Sequence, residues 1–321
     1  MNCRCTLLII LSLCLLAVSC SEETGKPASS SRQYQVLVIG DKGGAVAREL
    51  SDAVEGLPQP EPSFDVQQLK DTALTELQKL SRSIVVVNID SKAEKPTLKY
   101  ERNVYASPQI VVSVTAPSAT SLREYTHGGH IRKLLEAFEL STSIKTLQRQ
   151  SNAKAQNEIS KMFGISMLIP SDMTASRKGK DFLWLSNNTN EGLENICVYR
   201  VNRTDAELKM VRDSVMKKNI LGERNDMYME TGKCWLAKDN VLQAKASTVG
   251  SQTEPVRVYH GLWDVRNDAM GGPFASLEIH KGTYIIYIEG FVYAPESKKR
   301  NKMRRLEACL YSALGHSRTA R

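Results

Sequence analysis

Two hydrophobic periods take turns along the chain, and the points where one gives way to the other mark the elements. Gln35-Val36-Leu37-Val38-Ile39 is a β-branched apolar run closed by Gly40, which predicts a buried strand. Val46, Leu50 and Val54 then recur at helical spacing, with Gly56 as the helix stop. Leu57-Pro58-Gln59-Pro60-Glu61-Pro62 holds three prolines, which withhold backbone donors and fix φ, so it predicts a rigid extended connector into Phe64-Asp65-Val66. Ser83 to Ile89 and Gln109 to Thr115 are two further strands. From Leu122 to Met162 the period becomes helical, with Ile131, Leu134, Leu135 and Phe138 on the first apolar face. The polar stretch from Gln150 to Gln156 is expected to continue as exposed helix.

A second set of strands is predicted to open at Ile165 to Ile169, followed by Phe182 to Leu185 and Asn195 to Val201. Thr204-Asp205-Ala206-Glu207 matches a capping box, with Leu208, Val211 and Val215 as the buried stripe behind it. Val256 to Arg266 alternates with period two. Phe274 to Ile279 and Tyr284 to Phe291 flank the hairpin turn His280-Lys281-Gly282-Thr283. Both faces of Ile285-Ile286-Tyr287-Ile288 are apolar, so this strand is expected at the centre of its sheet and covered on both sides. A terminal helix follows Pro295.

The strands come in groups rather than in strict alternation with helices. That order predicts an α+β fold: two lobes of mainly antiparallel sheet with packed helices. Each half runs strands, helix, strands, helix, the order of a duplicated unit. The expected lobes are 34–163 and 164–321. About 300 residues with 41% hydrophobic content can bury cores of this size.

The first twenty residues say where such a body works. One charge at Arg4, an apolar run from Thr6 to Leu16, and Leu16-Ala17-Val18-Ser19-Cys20 form a secretion signal (1–19) ending in a lipobox. A lipoprotein peptidase needs small residues before the cut, here Ala17 and Ser19, and a cysteine after it to carry the diacylglycerol. Cys20 is therefore the expected lipidation site. The apolar run is about half the ~20 residues that span a bilayer, so the expected anchor is lipid rather than helix. Residues 20–33, rich in Ser, Gly and Pro, are expected to be a flexible tether. Glu22 and Glu23 directly behind the cysteine resemble a surface-export signal. Outer-membrane anchoring is thus the expected localisation, with the surface and periplasmic faces weighed equally.

Charge and cysteine content change the picture little. The formal net charge is +8, and much of it lies in Lys298-Lys299-Arg300-Asn301-Lys302-Met303-Arg304-Arg305. Met303, Leu306, Leu310 and Ala313 recur at helical spacing through that run, so it reads as an amphipathic terminal helix with a solvated basic face. Anionic lipid headgroups suit such a face, and no nucleic-acid partner is expected for a secreted lipoprotein. After processing, Cys20 is acylated, which leaves Cys197, Cys234 and Cys309. One disulfide among them is open, but Cys197 and Cys309 sit in apolar patterns and read as small buried hydrophobes.

Candidate chemistry is sparse. Gly40-Asp41-Lys42-Gly43-Gly44 lies between a strand and a helix, where phosphate loops occur, but it lacks both nucleotide-loop spacings and reads as a turn. His127-Gly128-Gly129-His130 offers two imidazoles, yet two glycines fix no ligand geometry, so a helix-entry turn is the plainer reading. No G-x-S-x-G elbow, C-x-x-C pair or nucleophile with its base is visible. Glu289 ends a very apolar strand; burial there raises a carboxyl pKa, although a salt bridge to an arginine accounts for it as well. Met270-Gly271-Gly272-Pro273-Phe274 follows Gly261-Leu262-Trp263-Asp264-Val265 and forces a specific backbone path beside a tryptophan. It reads either as an irregular link between strands or as a turn presenting amides to a ligand. No metal and no cofactor is expected.

Several of these segments fit one pattern. Leu57 to Pro62 with Phe64-Asp65, Arg102-Asn103 with Ala106 and Gln109, Met270-Gly271-Gly272-Pro273-Phe274, and Gly290-Phe291-Val292-Tyr293-Ala294-Pro295 with Lys299-Arg300 and Glu307 resemble an uncharacterised Bacteroidota lipoprotein family, domain of unknown function 4837. The resemblance spans nearly all of the mature chain. It departs after the first strand, where Asp41-Lys42-Gly43 stands in place of a tryptophan. It implies a secreted lipoprotein and brings no activity with it. The functional expectation is a membrane-anchored envelope lipoprotein acting as a non-catalytic binding or structural module for an unknown envelope protein or component. The alternative is an envelope hydrolase or small-ligand-binding protein with its site near 270–274. Arg102, Asn103, Gln109, Trp263, Gly271 and Gly272 are the candidate ligand or partner residues.

Overall fold

A computed structural model describes residues 25–69, 73–187, 189, 192–237 and 256–315. The signal segment and Cys20 lie outside the described residues. Two sheets organise the chain, one of five strands and one of seven, giving the expected α+β fold in two lobes.

The first sheet has strands β1 (Gln35–Ile39), β2 (Asp65–Leu69), β3 (Ser83–Ile89), β4 (Thr97–Arg102) and β5 (Ile110–Ala116), in the order β2-β1-β3-β5-β4. Here the pairing differs from the antiparallel expectation: β1 runs parallel to β2 and β3, β3 runs parallel to β5, and β4 alone is antiparallel. The reason lies in two short crossover helices, α1 (Ala45–Leu50) and α2 (Glu76–Lys79). The proline connector hides the strand–helix alternation that they create. The first helix ends at Leu50, well before Gly56, because Val54 has left it to donate to the Glu61 carbonyl and pair with the connector. One face of this sheet carries Val36, Val38, Val85, Ile110, Val112 and Val114 into a core with Val46, Leu122, Ile131, Leu135 and Phe138. Those last residues come from α1, α3 (Ala119–Thr126) and α4 (His130–Arg149).

The predicted long helical stretch is three helices, because glycine and asparagine punctuate it. Gly129 adopts φ +65° at the start of α4. Gln150 leaves the helical region and Asn152 caps α5 (Ala153–Phe163), its Oδ1 accepting from the Ala155 N–H at 3.0 Å. The break is confined to 150–152, and Ala153 to Gln156 form the first turn of α5. The buried face of α5 packs with the second sheet through Ala155, Ile159 and Phe163.

The second sheet is antiparallel throughout: β6 (Ala175–Lys178), β7 (Phe182–Ser186), β8 (Leu193–Asn202), β12 (Tyr284–Tyr293), β11 (Gly271–Lys281), β10 (Arg257–Val265) and β9 (Met229–Leu236), in that spatial order. Its all-antiparallel order differs from the mostly parallel first sheet, so the lobes are not repeats of one unit. Ile165 to Ile169 is extended and buries alternate side chains, but its backbone joins no ladder; Leu168 N–H donates to the Ser312 hydroxyl instead. The central strand β12 is covered on both faces, as its double apolar pattern requires. Ile286 and Ile288 face α5 and the terminal helix α7 (Arg300–Ser312), while Ile285 and Tyr287 face α6 (Leu208–Asn219). No helix of the described residues is long and apolar enough to cross a membrane.

Candidate functional site

The sequence-derived candidates fall into two separate groups. Gln109 staples a loop: its Oε1 accepts from the Tyr105 and Ala106 N–H groups, and its Nε2 donates to the Lys79 and Ser81 carbonyls at 2.6 and 2.7 Å. Asn103, at φ +54°, accepts from Gln109 N–H through Oδ1. The Arg102 guanidinium lies 5.9 Å from the Phe138 ring centroid. These three residues hold one corner of the first lobe. Trp263, Gly271 and Gly272 lie in the second sheet, where Trp263 pairs with Gly272 and Asp264 with Gly271. The 271–274 segment is strand β11, so it presents no free amide turn; a Cβ on Gly272 would lie 2.0 Å from the Val292 carbonyl oxygen. Trp263 is buried and meets Phe291 edge-on at 5.5 Å. The irregular link proves to be 266–270.

The remaining candidates are structural too. Glu289 is fully buried and paired with Arg212: Nε lies 3.0 Å from both carboxylate oxygens and Nη2 2.9 Å from Oε1. Burial pushes the Glu289 carboxyl above its ordinary range, against the pull of Arg212. The same guanidinium donates to Thr231 and stacks 4.2 Å from the Phe274 ring centroid. His127 and His130 frame the turn between α3 and α4, with His130 packed on Tyr125 at 5.0 Å. Cys197 and Cys309 are buried and Cys234 half-buried, all with free thiols; burial pushes the Cys309 thiol up to about 12. Thr204 forms no capping box. Its hydroxyl accepts from Ala206 N–H, and α6 begins at Leu208 behind Glu207.

The basic run at the terminal helix is not a solvated face. Arg300 is 2% exposed and binds Asp65 at 2.7 Å. Arg304 binds Glu136 at 2.8 Å and Glu307 at 3.2 Å. Arg305 binds Glu194 at 2.7 Å and also pairs with Asp172. Carboxylates from both lobes thus receive the positive charge of α7, which locks the lobes together.

What the sequence reading missed is a cleft of about 430 Å³ on the α6 side of the second sheet. Its floor follows from strand periodicity: Glu278 and His280 of β11, Tyr287 of β12, and Arg257 and Tyr259 of β10 all project to one face. The loop 203–207 and the start of α6 form the wall. Glu278 organises the floor. Its Oε1 meets His280 Nε2 at 2.7 Å and accepts from Arg257 Nη1 at 2.9 Å, while Oε2 accepts from the Tyr287 hydroxyl at 3.2 Å. Glu278 in turn raises the Arg257 pKa, and burial together with Glu278 raises the Tyr259 phenol above its usual value. The cleft therefore offers donors and acceptors of both charges, held in fixed positions. The only sequence signal for it is the run of polar residues on one face of an otherwise buried strand, Ser276, Glu278 and His280.

A two-lobed α+β body carrying a polar cleft is the class that fold and site define. The chain belongs to the family described as Domain of unknown function (DUF4837), which matches residues 152–312, half of the chain. A second Domain of unknown function (DUF8532) matches residues 29–150, so the resemblance expected over nearly all of the mature chain holds for the second half only, and Leu57 to Pro62, Arg102, Asn103 and Gln109 lie in a different family's span. No curated protein matches the chain.

Proposed function

We propose that the protein is a Bacteroidota envelope lipoprotein, anchored to the outer membrane through Cys20, whose body is a non-catalytic binding module with its ligand site in the cleft over Glu278. The anchor rests on the order of charge, apolar run, small residues and cysteine in the first twenty residues. The binding role rests on one observation above all: both oxygens of the Glu278 carboxylate are engaged, by Arg257, His280 and Tyr287. A carboxylate held in this way is not a free base. It instead fixes an arginine, an imidazole and a phenol as a pre-organised surface for a polar envelope component.

A hydrolase reading draws on the same Glu278–His280 contact at 2.7 Å, which orients an imidazole as a catalytic dyad does. Crosslinking and affinity purification of the lipidated protein separate the two readings. The binding module predicts a partner or glycan captured by the wild type and lost in Arg257→Ala and Tyr259→Ala. Hydrolysis of envelope material that disappears in Glu278→Gln would overturn it. Palmitate labelling that is lost in Cys20→Ala tests the anchor, and protease shaving of intact cells separates the two faces of the membrane.

A further inference from the structure

The first sheet changes winding direction at β1, which has β2 on one side and β3 on the other, both parallel to it. In open parallel sheets the connections leave a crevice at such a reversal, outside the carboxyl ends of the strands. The protein has that crevice, with a volume of about 50 Å³, between the turn after β1, Ile89 at the end of β3, and α3. Gly40 at φ +77° brings the turn so close to β3 that a Cβ there would lie 2.3 Å from the Val87 carbonyl oxygen.

Three cations meet at this crevice: Lys42, Arg48 and Arg123. All three are exposed. Among the described residues none of the three makes an ion pair, in contrast to Arg300, Arg304 and Arg305. The nearby carboxylate, Asp41, does not neutralise them by contact. Its Oδ1 and Oδ2 accept the Ala45 and Ala47 N–H groups at 2.9 Å, and Gln68 Nε2 approaches Oδ2 at 3.4 Å. Asp41 therefore occupies the first turn of α1, and any anion in the crevice must be held by side chains rather than by that helix end. This is the physical difference from a nucleotide phosphate loop. The opposite wall is apolar, made by Ile89, Ala119 and Leu122, and Ile89 is 47% exposed.

We propose that this crevice binds a compact oxyanion of the phosphomonoester class. Lys42, Arg48 and Arg123 would take the phosphate oxygens by charge-assisted hydrogen bonds, with the ester carbon turned to Ile89 and Leu122. The volume admits one tetrahedral group, and the apolar wall suits carbon better than a second phosphate.

The test is calorimetric titration of the full chain in detergent with inorganic phosphate and with glycerol 3-phosphate, at constant ionic strength. Saturable binding is expected, tighter for the ester, and weakened roughly tenfold or more in Arg48→Gln and in Arg123→Gln. Lys99→Gln, on the exposed strand β4, should leave it within about twofold of wild type. Because Arg48 and Arg123 make no ion pair among the described residues, both variants should melt with the unliganded wild type; if one fails to fold, the other carries the test. Cosedimentation with phosphatidate vesicles separates the sources. Recruitment lost in the arginine variants points to a lipid headgroup, and binding of the soluble ester without recruitment points to a free metabolite. Absence of saturable phosphate binding, or binding that both arginine variants retain, would overturn the proposal.

Discussion

The Glu61 carboxylate accepts the Arg300 backbone N–H at 3.0 Å, joining the proline connector of the first lobe to the start of the terminal helix of the second. Its other oxygen accepts Lys299 N–H at 2.7 Å. A glutamate 239 positions away thus supplies the cap that α7 lacks in its own sequence. The Arg300 side chain returns the contact, donating to the Pro62 carbonyl at 2.6 Å and to Asp65 at 2.7 Å.

Glu61→Ala is expected to destabilise the protein by about 2 kcal/mol, the upper range for a lost cap, because two buried N–H groups lose their acceptor together. Glu61→Gln, which keeps one acceptor oxygen, should cost less. Urea unfolding of the two variants checks the order; equal stability of Glu61→Ala and wild type would remove the capping role.

Arg212 and Glu289 are both fully buried, so removing one strands the other. Arg212→Met is expected to cost about 3–5 kcal/mol, as for other broken buried pairs. Combining it with Glu289→Leu should recover much of that loss, since no charge is then left in the core. A double-mutant cycle by chemical denaturation measures the coupling. If the double variant were as unstable as the sum of its parts, the pair would not be the controlling interaction.

Two glycines separate packing from backbone strain. At Gly272 the obstacle is the Val292 carbonyl on the neighbouring strand, so Gly272→Ala must part β11 from β12 and is expected to cost about 3 kcal/mol. At Gly282, φ is +60° and, apart from its chain neighbours, no atom of the described residues lies within 4 Å of the place a Cβ would take, so Gly282→Ala should cost only about 1 kcal/mol. Thermal unfolding of both variants tests the ordering.

The elements that the sequence announced are those with strong periodicity. Ser83 to Ile89 is β3, and the expected strand Tyr284 to Phe291 lies within β12, because both strands hold continuous apolar runs in their buried stretches. Thr97–Arg102 escaped notice because it is an edge strand with exposed polar side chains, and Glu76–Lys79 because one turn of helix has no period. The ion pairs were legible only as residue types: nothing local says that the basic run of α7 meets carboxylates from Asp65, Glu136, Asp172 and Glu194. The cleft left only the polar face of β11 as a local sign, since Arg257, Glu278 and Tyr287 converge through register between strands rather than through spacing along one.

Glu49 provides a pH signature. From the end of α1 its Oε1 accepts the Arg132 N–H at 2.9 Å, within the first turn of α4, while Oε2 is buried with no hydrogen-bond partner among the described residues. Burial raises its pKa from 4.5 to about 7; the backbone bonds from Arg132 and Ile131 and the Arg132 charge pull the other way, and Asp52 adds to the rise. The folded protein therefore holds this proton more tightly than the unfolded chain does. Stability from this group is complete below the unfolded value, falls as pH rises from 4.5, and is gone above about 7. The shift corresponds to about 3 kcal/mol at most. Glu49→Gln keeps an acceptor for the Arg132 N–H and cannot ionise. Relative to this variant, the wild type should lose stability steadily between about pH 4.5 and about pH 7. Urea unfolding of both proteins across that range reads the difference directly, and parallel curves would mean that Glu49 titrates alike in the folded and unfolded states.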